Sequence, residues 1–265
     1  MQRLAFDTYL DHVRTESSRF HEVLAGCRPE ARVPACPDWD AADLLWHLTT
    51  VQAFWTKIIT TRPAPAEESD AGRLERPGSY EALLTAFEVH SAALVEALAA
   101  ADPHEEAWHW SSEHTVGASY RRQAHEALIH RLDAEETADL VTPLDAALAA
   151  DGVHEALTVM FGDCPPWGTI TPSDRAVAVE MTDTGHRLLV ALARFTGTDP
   201  DDGVTYDEPD IAVVDAATPV ATVSGTAADL DAWLWHRGSG RVHVHVDGDR
   251  GAYDELAAIL KQPID

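Results

Sequence analysis

HEALIHRLDAEE, residues 125–136, is the stretch on which the fold turns, and it sits inside a longer run, Ser119 to Leu140, rich in Ala, Glu, Leu and Arg. These side chains lose little rotamer freedom in a helix, so the run predicts one. On that helix Glu126 and His130 stand at i and i+4, which places both on one face about one turn apart. A carboxylate and a neutral imidazole are ordinary ligands of zinc and related divalent ions. The same spacing also fits a solvated helix face, and the pair alone does not separate the two.

The helical rhythm extends outward from this stretch. Ala5 to Cys27 places Leu10, Val13, Phe20, Val23 and Leu24 on one apolar stripe. The prolines of RPEARVPACPDW, residues 28–39, break that helix, and Asp40 followed by Asp43 offers an N-terminal cap for a second one, Ala41 to Thr60. Pro63, Pro65 and Pro77 with the acidic EESD at 67–70 mark a solvated connection. Ser79 to Ala101 then resumes the spacing through Leu83, Phe87, Leu94 and Leu98. After the irregular DPHEEAWHWSSEHTVG, residues 102–117, the Ser119–Leu140 helix completes an antiparallel four-helix bundle. Asp145 to Phe161 is read as an extra helix and CPPWGTITP, residues 164–172, as a linker.

Beyond Pro172 the period changes. Val177, Val179 and Met181 alternate with other residues, a Thr-Asp-Thr-Gly turn follows, and Leu188 to Phe195 can pair back as a hairpin. Ile211–Val214, Val220–Val223 and the alternating RVHVHV of residues 241–246 are further strands, while Ala227–His236 and Tyr253–Leu260 read as helices. The expected class is therefore α+β, with a helical bundle over 1–165 and a smaller α+β domain over 172–265. No fixed-period repeat is visible.

Composition narrows the partners. Nineteen Lys+Arg against 45 Asp+Glu give a formal charge of -26, which repels a phosphate backbone, so nucleic-acid binding is not expected. No run approaches the roughly 18 uninterrupted apolar residues of a membrane span, and the N-terminus lacks a signal-peptide pattern. The expectation is a soluble cytoplasmic protein without a membrane partner. Three cysteines, Cys27, Cys36 and Cys164, are too few and too irregular for a disulfide framework or a four-thiolate site. Cys36 and Cys164 precede prolines in loops and read either as reactive thiols or as ordinary half-buried cysteines.

His47 lies in DLLWHLTT, residues 43–50, where Leu44, Leu45, Leu48 and Val51 supply the buried stripe. An inward histidine there is either a core residue with one hydrogen bond or a ligand facing another helix of the bundle. Two histidines and one carboxylate would leave coordination positions open, the arrangement of a reactive site. Asp133, three residues after His130, could orient that imidazole or form a surface salt bridge. His125 points about 100° away from Glu126 and is excluded as a ligand. His243 and His245 face one side of a strand and read as a solvent-facing pair. Trp108, Trp110 and Trp167 lie in loops that could wall a pocket, whereas Trp46, Trp55, Trp233 and Trp235 serve packing.

CPDWDAADLLWHL, residues 36–48, resembles the Cys-Pro-x-Trp segment and metal-histidine helix of the mycothiol-dependent maleylpyruvate isomerase family, and HEALIHRLDAEE resembles its second metal-binding segment. VSGTAADLDAWLWHRGSGRVHVHVDGD, residues 223–249, is similar to the family's smaller domain, with His236 where a glycine is expected and Arg237 as the matching arginine. The resemblance implies a DinB-like bundle in which His47, Glu126 and His130 bind a divalent metal, usually zinc. It implies mycothiol as the thiol cofactor and a small electrophilic substrate, with monomer and homodimer both open. The implied reaction is thiolate addition to a cis double bond, rotation and elimination to the trans isomer, with Arg237 holding a carboxylate of the substrate or a polar part of the thiol. A mycothiol S-transferase and a noncatalytic metal- or ligand-binding regulator are the other readings of the same site.

Overall fold

The computed structural model describes residues 3–64, 74–238 and 240–262. Pro65 and the EESD segment of the expected connection lie outside them. Contacts divide the chain into two compact units, Leu4–Leu144 and the residues from Asp145 onward, to which Arg3 also belongs.

The first unit is a bundle of four helices, α1 (Phe6–Ala25), α2 (Ala41–Thr61), α3 (Tyr80–Ala100) and α4 (Val116–Ala138). Each of the last three starts at a side-chain cap, because the first backbone N–H groups of a helix lack internal partners. Ser79 accepts from Ala82 N and Thr115 from Ala118 N. Asp40 and Asp43 form a reciprocal capping box on α2, each accepting from the other's backbone N–H. The stripe read from the sequence is the core: Val13, Phe20, Leu24, Leu44, Leu45, Leu48, Leu94 and Leu98 are all fully buried. Each such side chain contributes roughly 1.5–3 kcal/mol by leaving water.

α1 packs on α4 and α3, and α2 on α3 and α4. α1 and α4 run in the same direction, since Phe6 meets Tyr120 near their starts and Arg19 reaches Glu135 near their ends. α2 and α3 also run parallel, because Arg76, just ahead of α3, pairs with Asp43 in the first turn of α2. Antiparallel neighbours are thus α1/α3 and α2/α4. α3 is long and apolar enough to cross a membrane by length and composition, but it is a bundle helix, burying Leu83, Phe87, Leu94 and Leu98. α4 is buried from Val116 to Glu135, charged residues included. Buried charge is costly unless paired, and Arg131 accordingly donates to Glu16 at 2.7 Å and to Glu135 at 2.9 Å.

The second unit opens with α5 (Ala146–Glu155) and a π-helical turn over Ala156–Met160. Its sheet has the order β3-β2-β1-β4-β5, built from β1 (Gly168–Met181), β2 (Arg187–Thr198), β3 (Thr205–Val214), β4 (Pro219–Gly225) and β5 (His245–Gly248). β1 is antiparallel to β2 and parallel to β4, with α6 (Ala227–Leu234) and α7 (Arg250–Ile259) as its helices. α5, read from the sequence as an appendage of the bundle, packs on α6. The contact is close at Gly152, where an added Cβ would come within 2.7 Å of the Asp231 carboxylate.

Two strand boundaries read from the sequence are also corrected. β1 already begins at Gly168, so the second half of CPPWGTITP is strand, because Gly168 to Pro172 pair with Gly197 to Ala193 of β2. RVHVHV is strand only from His245: His236, Gly238 and Gly240 adopt positive φ, and Arg241 and Val242 donate back to Gly238 O, which holds that segment in turns. His243 and His245 are both exposed.

Candidate metal centre

His47 projects from the early part of α2, and Glu126 and His130 from the middle of α4. Because α2 and α4 are packed neighbours, the three side chains meet. Their ligand atoms all lie within 4.8 Å of one another, and among the described residues this is the one His/Cys/Asp/Glu group of that kind. His130 Nε2 is 3.0 Å from Glu126 Oε1, and His47 Nε2 is 3.7 Å from the same oxygen. Two donors of one tetrahedral zinc ion stand roughly 3.3 Å apart, so these separations bracket what such an ion requires. The donor chemistry, two imidazoles and one carboxylate, fits a divalent ion of the zinc type.

Burial is uneven across the group. The side chains of Glu126 and His130 are 8% and 4% exposed, while that of His47 is 30% exposed and stands 4.8 Å, ring to ring, from Trp39. The open side of the cluster is therefore the His47 side. Asp133 is fully buried, and its Oδ2 lies 3.0 Å from His130 Nδ1, so the other ring nitrogen is turned to the cluster. Burial works against a charge on His130, yet the hydrogen bonds to Asp133 and Glu126 outweigh it and hold its pKa at about 9. Burial likewise pushes the Glu126 carboxyl up, but the imidazoles of His130 and His47 and the Arg122 guanidinium hold it well below the usual carboxylate range.

Arg122 is the partner that sequence reasoning missed. Its Nη2 donates to Glu126 Oε2 at 3.1 Å, with both side chains buried. The signal was present as a second i, i+4 pair on the same helix, Arg122 with Glu126, whereas Arg121 stands five positions from Glu126 and off that face. Ser119 and Gln123 continue the same face toward the start of α4, fully buried; Ser119 Oγ and both polar atoms of Gln123 meet no hydrogen-bond partner among the described residues. His125 lies against Tyr9 of α1, ring centroids 6.3 Å apart, on another side of the helix.

The other singled-out residues sit as follows. Arg237 belongs to the second unit, just past α6, where its Nη1 donates to Trp235 O at 2.6 Å. His236 has φ of 57°, a left-handed conformation that glycine adopts without strain, and its ring reaches Leu260 O at 2.6 Å. Trp108 packs on Phe54 and Trp55 of α2, whereas Trp167 packs on Phe195 and Tyr206 of the sheet. Trp108 and Trp167 therefore serve two different units, and Trp110 is exposed beside the His109 ring. Trp55 and Trp235 are buried. Cys36 is half-buried against the α1–α2 core, and Cys164 is half-buried.

The profile of the mycothiol maleylpyruvate isomerase N-terminal domain matches residues 10–135, and that of the family's C-terminal domain matches residues 147–255. The chain belongs to the mycothiol maleylpyruvate isomerase family. Membership makes it homologous to an enzyme and assigns the bundle and the sheet unit to the family's two domains. A crystal structure of the mycothiol-dependent maleylpyruvate isomerase shares the fold with a TM-score of 0.59 at 14% identity, covering 91% of this chain and 93% of that one. A variant of that isomerase with one histidine replaced by alanine matches with a TM-score of 0.58 at the same identity and coverage. No curated protein matches the chain.

Proposed function

We propose that this chain is a mycothiol-dependent metalloenzyme of the maleylpyruvate isomerase type. It would isomerise a small electrophilic substrate from cis to trans through reversible addition of the thiol. The observation that carries this reading is the convergence of His47, Glu126 and His130 from two helices into one group of ligand atoms. Three protein donors match a reactive site, which keeps a position open, better than a closed structural one. A zinc-type ion held by His47, Glu126 and His130 would lower the pKa of a coordinated thiol toward neutrality.

The residues of the chain have separate tasks in this scheme. Glu126 would contribute the one negative charge of the ligand set, His130 would give up to metal binding the proton that Asp133 and Glu126 otherwise hold on it, and Asp133 keeps His130 turned so that Nε2 serves as the donor. His47, as the half-exposed member, lines the approach by which the thiol arrives. Arg237 is assigned an anionic group of the substrate or a polar part of the thiol, because its planar fork suits bidentate pairing. A reduced low-molecular-weight thiol as cofactor places the enzyme in the cytoplasm.

The test is elemental analysis of the purified protein and of His47→Ala, paired with calorimetric titration of both by mycothiol. Expected are about one divalent metal per wild-type chain and loss of both metal and thiol binding in the variant. A metal-free wild-type protein, or metal unchanged by the substitution, overturns the proposal. If turnover consumes the thiol instead of regenerating it, the enzyme is an S-transferase.

A further inference from the structure

The two oxygens of Glu126 meet different surroundings. Oε1 faces the imidazoles, at 3.0 Å from His130 Nε2 and 3.7 Å from His47 Nε2. Oε2 faces away and accepts from Arg122 Nη2 at 3.1 Å. Arg122 stands one helical turn before Glu126, so the backbone of α4 itself sets the pairing. With side chains 4% and 8% exposed, the pair lies where a charge-assisted hydrogen bond is little weakened by water.

From this we infer that Arg122 is a positioning residue that withholds Oε2 of Glu126 from the metal, so that the glutamate donates one oxygen and a coordination position stays open for the thiol. The inference rests on the metalloenzyme reading above. A carboxylate beside a divalent ion coordinates through one oxygen or through both. With two imidazoles already present, a second oxygen from Glu126 would take the place that a reactive site leaves to its ligand. α4 treats its other ligand in the same way, because Asp133 ties off His130 Nδ1 and leaves only Nε2 to the cluster. Each ligand on α4 thus has one atom occupied by a residue three or four positions away on the same helix. An arginine suits the task because its rigid, permanently charged fork holds a carboxylate oxygen in place more firmly than a flexible ammonium does.

Cobalt(II) is the probe, since its visible bands report coordination number and a sulfur-to-metal charge-transfer band reports a bound thiol. Wild-type, R122M and R122K proteins are loaded with cobalt and titrated with mycothiol. Expected is one cobalt per chain in all three, with the apparent mycothiol affinity of R122M weakened roughly 10- to 100-fold and its visible bands altered before any thiol is added. R122K, which keeps a cationic donor, recovers part of the affinity.

R122M with cobalt bound and an unchanged thiol titration overturns the inference. So does a folded R122M that takes up no cobalt, since Arg122 would then build the site and not thin its ligand set. If R122M does not fold, R122Q decides by the same titration, with weakened thiol binding expected and unchanged binding fatal. Wild-type protein that takes up no cobalt sinks the metalloenzyme reading and this inference together. Equal thiol binding by wild type and R122M sinks the inference alone.

Discussion

Asp133 supplies no atom to the cluster, yet it decides which nitrogen of His130 is free to serve there. Its carboxylate is fully buried and lies 3.0 Å from Nδ1, so rotating the ring would strand a buried charge. Asp133→Asn should keep the fold and weaken metal binding roughly 10- to 100-fold, as changes to such orienting partners do. Competition with a chelating dye checks this, and an affinity equal to wild type would show that Asp133 does not orient the ligand imidazole. The sequence left both roles open because i, i+3 spacing allows either; burial is what separates them. The Arg122–Glu126 pair follows the same logic, since its i, i+4 spacing reads equally as a solvated face until the burial of both side chains is known.

At the scale of the element, the start of α2 sets where His47 sits. Asp40 and Asp43 cap that helix reciprocally at 2.9 and 3.2 Å, seven and four residues before the histidine. Asp40→Ala removes the acceptor for a first-turn N–H and should cost about 1 kcal/mol. In a chain of this size that corresponds to a fall in Tm of roughly 2–4 °C, read by thermal melting. An unchanged melting temperature would show that packing of Leu44, Leu45 and Leu48 holds the helix start without the cap. This element was legible in advance because a cap and an apolar stripe involve only residues within a turn of each other. β5 was not, since the alternation of RVHVHV is real but the left-handed turns at His236, Gly238 and Gly240 keep its first half out of the sheet.

Across the whole molecule, 45 acidic residues against 19 basic ones make the few buried ion pairs matter for acid stability. Burial pushes the Glu16 carboxyl up, but hydrogen bonds to His12 and Arg131 outweigh it and leave its pKa below the ordinary 4.5. Glu135 is lowered for the same kind of reason, with Arg19, Thr142 and Arg131 outweighing burial. A folded pKa below the unfolded one means stability that is present above 4.5 and lost as pH falls through the folded value. Denaturant melts should therefore show stability declining on the acid side of that value. The Glu16→Gln/Glu135→Gln double variant should be less stable at neutral pH and show a shallower acid decline. An unaltered acid limb would mean that other carboxylates carry the effect.

The sequence by itself determined the local features: four helices and the Asp40 cap of α2, the change of period past Pro172, and Glu126 and His130 on one face of α4. Each depends on contacts within a few residues along the chain, so propensity and spacing suffice to specify them. Only the tertiary structure decided the rest. It brought His47 of α2 to within 3.7 Å of Glu126, buried Asp133 and the Arg122–Glu126 pair, and joined α5 to the sheet unit through α6. Those outcomes depend on which helix faces pack against each other over long sequence separations, where burial of apolar surface and pairing of buried charge govern and local pattern is silent.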